Sequence, residues 1–208
     1  AILTKLVYLP VQKQEVLYTQ NQLDKLGNTL IFLCKNLEKA TKTHLLKLVF
    51  IIEEISIMKF GVPFFDLRFD VWKLGPVSKD LFVELTDELN LLEPYISKIV
   101  NDGATIISPK KGFSDDEFSD NEMNLLNEIV DRFKYCTAKE LINFTHKKNS
   151  LWYNAALRNG VLELLEAGKM TTTNIEINMA ELVEGDEEKI MIYNSHKEFL
   201  TQSKSLKF

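Results

Sequence analysis

Cysteine, histidine, proline and glycine are all scarce in this 208-residue chain, with 2, 3, 5 and 8 copies respectively. Cys34 and Cys136 lie far apart among apolar residues, so they form no disulfide framework and are expected as buried free thiols in a reducing compartment. His44, His146 and His196 are scattered, and none stands at metal-ligand spacing from a cysteine or carboxylate, so no metal or other cofactor is expected. G-x-S-x-G, Walker A and G-x-G-x-x-G patterns are all missing, and no catalytic residue is assigned. A triad assembled from distant residues stays open, although nothing in the chain recommends one. Positive charge is in deficit too: 25 Lys and Arg against 30 Asp and Glu give a net charge of −5. That balance argues against nucleic acid as a general partner and leaves room for a local basic patch.

Long apolar runs are also lacking. The richest, "LLKLVFIIEEISIMKF", carries Lys47, Glu53, Glu54 and Lys59 and reads as a buried helix, not a membrane span. The opening "AILTKLVYLPVQKQE" is interrupted by Lys5 and lacks a small-residue cleavage site, so it is not read as a signal peptide. These features predict a cytoplasmic protein with no membrane partner. Few breakers and no internal repeat predict one domain with a tail.

What is present reads as helix first. Leu23, Leu26, Leu30, Leu33 and Leu37 recur at helical spacing, and a second helix from about Thr43 to Phe60 is apolar nearly all round, as a central helix must be. Residues 65–72 alternate, placing Leu67, Phe69 and Val71 on one face of an expected strand and Arg68 and Asp70 on the other. A helix is expected from Lys79 to near Leu91. A β-hairpin follows at 95–108, turned by Asn101-Asp102-Gly103. The acidic run Asp115, Asp116, Glu117, Asp120 and Glu122 lacks the glycine-centred calcium-loop pattern and reads as a solvated linker with helix-capping acids. Ser119 with Glu122, and Thr137 with Glu140, form two capping boxes that start successive helices. Further short helices should stop at Gly160 and Gly168. The tail, with "TTTNIEINM" and "KIMIYNS", is expected to add two strands around "EGDEE".

The corner "DVWKLGPVSKDLF" admits two readings. A phosphate cradle needs several converging N–H donors, but Pro76 has none and only Gly75 precedes the helix. A structural reading needs no ligand: Gly75 tolerates an unusual dihedral, Pro76 fixes φ, Ser78 caps the helix, and Val77 and Phe82 staple it. "NFTHKKNSLW" is also open. His146 can serve the carbonyls at a helix end while Trp152 plugs the core, or both can form a recognition surface.

Three stretches taken together resemble a known family. "LGNTLIFLCKNLEKATKTHLLKLVFIIEEISIMKFG", "FDVWKLGPVSKDLF" and "FSDNEMNLLNEIVDRFKYCTAKELINFTHKKNSLW" resemble, in order and spacing, the Panacea domain of SocA-like antitoxins, a bacterial and phage-associated family. The resemblance spans about residues 22–158. Its marks are Lys47-Leu48 in the central helix, the W-K-x-G-P-V corner, and T-H-x-x-x-x-x-W after a capped helix. It implies a non-catalytic antitoxin that neutralises a cognate protein toxin by direct binding. In one type the antitoxin is instead an adaptor that presents the toxin to a protease. Carried over by motif, the marked positions are Trp72, Gly75, Pro76, Val77, Thr145, His146 and Trp152. Leu151 departs from the proline common before the last tryptophan.

The expected fold is α+β and mainly helical, with a central apolar helix, flanking helices and a small β-hairpin or sheet. An extended arm is expected at 1–20, a helical domain at 21–168 and a β-containing tail packed on it at 169–208. Exposed aromatic and acidic surface would suit a basic toxin. A winged-helix-like DNA-binding regulator, with Lys98, Lys110 and Lys111 on a basic wing, and an enzyme using His146 are the competing readings.

Overall fold

The computed structural model describes residues 18–205, so most of the arm expected at 1–20 lies outside the described residues. The order is α1 (Gln20–Asn36), α2 (Lys42–Phe60), β1 (Asp70–Trp72), β2 (Gly75–Val77), α3 (Lys79–Thr86), β3 (Ile96–Asn101), β4 (Ala104–Pro109), α4 (Asp120–Phe133), α5 (Ala138–Thr145), α6 (Leu151–Arg158), α7 (Leu162–Glu166), a 3-10 helix (Met179–Val183) and α8 (Glu187–Ser205). Each sheet is a two-stranded antiparallel ribbon, β1–β2 or β3–β4. The fold is therefore mainly helical α+β.

The centre is α2. Leu45, Leu48, Val49, Ile51, Ile52 and Ile57 are fully buried, and α3, α4, α5, β2, β4 and the 3-10 helix all pack against it. A helix apolar on every face needs neighbours on every face, which dictates this hub-and-shell plan. Four polar residues of α2, His44, Lys47, Glu53 and Ser56, are buried, each with a hydrogen-bond partner. Glu53 accepts the backbone N–H groups of Phe64 (2.8 Å), Phe65 (2.7 Å) and Leu67 (3.3 Å), and so shapes the loop after α2. Burial still pushes its carboxyl up to about 7. The thiols are free but only half-buried, and burial raises Cys34 to about 12.

Both capping boxes form as expected. Ser119 Oγ accepts from the Glu122 N–H while the Glu122 carboxylate accepts from the Ser119 N–H, and Thr137 and Glu140 repeat the exchange. The 95–108 hairpin pairs Ile96 through Asn101 with Pro109 through Ala104, and Asp102 and Gly103 supply the positive φ angles of its turn.

Four local expectations are corrected. The strand expected at 65–72 forms only at Asp70–Trp72, because Glu53 holds the preceding backbone in a loop. Asp70, expected outward, is buried and accepts from Arg68 Nε at 3.0 Å. Helix α3 ends at Thr86, not near Leu91: the Glu84 carboxylate accepts the N–H groups of Asn90, Leu91 and Leu92 and curls the chain back. Ser78 occupies the N-cap position of α3 but is buried and makes no side-chain capping bond.

The tail differs most. In place of two strands it has one extended segment, the 3-10 helix and α8. Backbone bonds from Val71 to Ile175, Lys73 to Thr171 and Ile177 to Phe69 lay the segment along β1. Thr173 Oγ1 donates to the Val71 carbonyl (2.7 Å) and accepts from the Ile175 N–H (3.0 Å). "KIMIYNS" is helical because Asp186 accepts the Lys189 N–H, and Glu187 and Glu188 occupy the first turn, where the helix dipole favours acids.

Candidate partner-binding site

The corner between β1 and β2 is a tight hairpin whose register pairs Asp70 with Val77, Val71 with Pro76 and Trp72 with Gly75. Gly75 has a φ of +100°, and a Cβ there would lie 2.8 Å from Thr145 Oγ1, 3.1 Å from Lys47 Nζ and 3.2 Å from His146 Nε2. Glycine is required twice, by the dihedral and by the crowding. Lys47, in the middle of α2, is fully buried and donates to the Pro76 carbonyl at 2.8 Å. The proline that removes one N–H from the hairpin thus presents its carbonyl to an ammonium. Burial pushes Lys47 down to about 7.

The second motif closes on the same point. Thr145 ends α5, and its hydroxyl donates to the Ile142 carbonyl at 2.9 Å. Ser150 Oγ donates to the Thr145 carbonyl (2.8 Å) and, as the N-cap of α6, accepts from the Tyr153 N–H (3.1 Å). That link fixes the turn holding His146, whose ring stacks flat on Trp152 at 3.8 Å and 4°. Trp152 is buried and donates its indole N–H to the Trp72 carbonyl at 2.8 Å. Trp72 in turn donates to the Thr173 carbonyl at 3.1 Å and meets Phe82 edge-on at 4.9 Å. His146 Nε2 is buried without a hydrogen-bond partner. Burial first, and then the nearby Lys47, push this histidine down to about 4.

All seven marked positions therefore lie at one place, around the Gly75 corner, with Lys47 as the hub. Trp72 and Val77 face a groove of about 1140 Å³, whereas Gly75, Pro76, Thr145, His146 and Trp152 stand behind its wall. The groove runs between the start of α2, the β1–β2 turn, the tip of the β3–β4 hairpin and the α4–α5 turn. At its base the His44 ring bridges two elements: Nδ1 lies 2.6 Å from Thr41 Oγ1 and Nε2 lies 3.0 Å from the Cys136 carbonyl. The carbonyl only accepts, so Nε2 carries the proton and the Thr41 hydroxyl donates to Nδ1.

Residue-by-residue reading missed the other groove side chains. Lys39, Lys42, Lys73 and Lys134 line it beside Lys47, with Trp72, Phe82 and the well-exposed Tyr135 between them. Only "EKATKT" hinted at this, by placing Lys39 and Lys42 before the central helix. The lysines expected on a basic wing are engaged locally. Lys98 donates to the Glu84 carbonyl, Lys110 pairs with Glu93, and Lys111 lies over the Tyr95 ring. Among the described residues no group of three or more His, Cys, Asp or Glu side chains is placed to hold a metal ion, and no helix is long and apolar enough to cross a membrane.

A family model described as antitoxin SocA-like, Panacea domain, matches residues 45–153, just over half of the chain. No curated protein and no solved structure matches it.

Proposed function

We propose, from the premise that the chain belongs to the SocA-like, Panacea-domain antitoxin family, that it neutralises a cognate protein toxin by direct binding and performs no chemistry itself. The observation that carries the reading is the groove beside the family motifs. It brings together Trp72, Phe82 and Tyr135, aromatic side chains of the kind that anchor protein interfaces, and it sets long cationic side chains around them. Neutralisation then works by occlusion: a segment of the toxin is held in the groove and withdrawn from its target.

The way the motif residues are engaged supports a non-catalytic role. His146 is packed against Trp152, and its Nε2 meets no hydroxyl or thiol at hydrogen-bond distance, as a general base would require. Lys47 holds a carbonyl. Both serve to rigidify the corner.

The test is co-expression with the neighbouring reading frame. That frame should arrest growth alone, grow normally with this chain, and co-purify with it. Leu74→Asp and Tyr135→Asp alter exposed groove side chains, so they should abolish rescue while leaving the melting temperature close to wild type. Failure of the wild-type chain to rescue growth or to co-purify would overturn the reading.

A further inference from the structure

The groove carries the opposite charge to the molecule around it. Five lysines and one acid, Glu38, line it, leaving 20 cations against 29 carboxylates in the rest of the chain, a net charge of −9. Among the described residues none of these five lysines forms an ion pair, whereas seven Lys and Arg elsewhere do. The five come from four places along the chain: Lys39 from the α1–α2 turn, Lys42 and Lys47 from α2, Lys73 from the β1–β2 turn and Lys134 from the end of α4. At the floor, buried Lys47 has a single acceptor for its N–H groups, the Pro76 carbonyl. Like charges gathered against a single acid repel one another, and an incoming anion relieves that repulsion.

The lining also constrains the anion's shape. Trp72 and Phe82 offer an aromatic floor, and Tyr135 and Leu74, 74% and 55% exposed, stand uncovered nearby. The groove is open and, at about 1140 Å³, stands at the top of the roughly 300–1,000 Å³ range of small-ligand pockets, with room for a stretch of polypeptide. Residues 1–17 hold Lys5, Lys13 and a single acid, Glu15, which is the wrong charge for the occupant. Nucleic acid matches the lysines, but its backbone would run on from the groove over a surface of net negative charge. A short acidic segment ends where the lysines end.

We infer that the groove seats an acidic, aromatic-bearing segment of the partner protein. The inference rests on the antitoxin reading and sharpens it: the toxin surface that is recognised is acidic, not basic, although the chain as a whole is acidic.

The experiment uses a fluorescent peptide of glutamates carrying one tryptophan and one leucine, its lysine counterpart, and single-stranded and duplex DNA of similar length. The acidic peptide should bind the full chain and weaken as salt rises. Lys39→Glu with Lys42→Glu should weaken it by about tenfold or more and create affinity for the lysine peptide. Matched reversals away from the lining, Lys59→Glu at the far end of α2 with Lys148→Glu, should change neither. Unaltered binding in the Lys39→Glu, Lys42→Glu variant overturns the inference, as does DNA binding more tightly than the acidic peptide. The same variants in the growth assay separate the two readings. Wild type that fails to rescue refutes the antitoxin role itself. Wild type and the Lys39→Glu, Lys42→Glu variant rescuing equally, with no acidic peptide bound, refutes only the groove's preference.

Discussion

At the scale of the residue, Lys47 and Gly75 explain why the family motifs occur together. Lys47 supplies the donor for Pro76, and Gly75 leaves the space through which Lys47, Thr145 and His146 approach one another. Gly75→Ala should cost about 2 kcal/mol or more, because it combines a positive φ with a contact under 3 Å to Thr145. Chemical denaturation measures this, and a neutral result would show that the corner relaxes. Lys47 also makes stability depend on pH. Its ammonium is held near 7 in the fold against 10.5 when free, so between those values the unfolded chain binds the proton and the folded chain does not. Stability from this group therefore rises from pH 7 toward 10.5 and is lost as pH falls through 7. Lys47→Met should flatten that rise in urea midpoints measured from pH 7 to 9.5, and parallel curves would contradict the assignment. His146 follows the same sign lower down, held near 4 against 6.5, so its contribution is lost as pH falls from 6.5 through 4. Glu53, held near 7 against 4.5, opposes it: its contribution falls as pH rises from 4.5 to 7. A nuclear magnetic resonance titration should thus find the His146 ring neutral at pH 5.5.

At the scale of the element, local signals were readable and non-local ones were not. The capping boxes at Ser119 and Thr137 announce their helices because cap and partner lie three residues apart. The central helix announces itself by being apolar on every face. The tail misled because a short β-branched run such as "KIMIYNS" fits either period, and the deciding features, the Asp186 cap and the first-turn acids, lie outside it. The early end of α3 depended on where the Glu84 carboxylate folds back, which its own turn does not reveal. The groove was hidden for a plainer reason: positions 39, 42, 47, 73 and 134 share no spacing and meet only through packing. The motif residues behind it could be named in advance, and their meeting at Gly75 could not. The extended tail segment gives this scale its own prediction. Thr173→Val keeps the shape but loses the bond to the Val71 carbonyl and the acceptor for the Ile175 N–H. It should cost about 1–3 kcal/mol, and amide exchange should quicken at Val71 and Ile175. Unchanged exchange would mean that the segment is held by packing alone.

At the scale of the whole molecule, a stiff hub-and-shell fold presents one cationic, aromatic groove in an otherwise acidic surface. That contrast in net charge favours the groove over the rest of the chain for an acidic segment, giving orientation as well as attraction. The most direct test is hydrogen–deuterium exchange on the full chain, alone and mixed with the product of the neighbouring reading frame that is proposed as its toxin. Protection should concentrate at residues 38–47, 72–77, 103–105 and 134–138, the segments that wall the groove. Protection confined to α8, with the groove segments unchanged, would contradict the account.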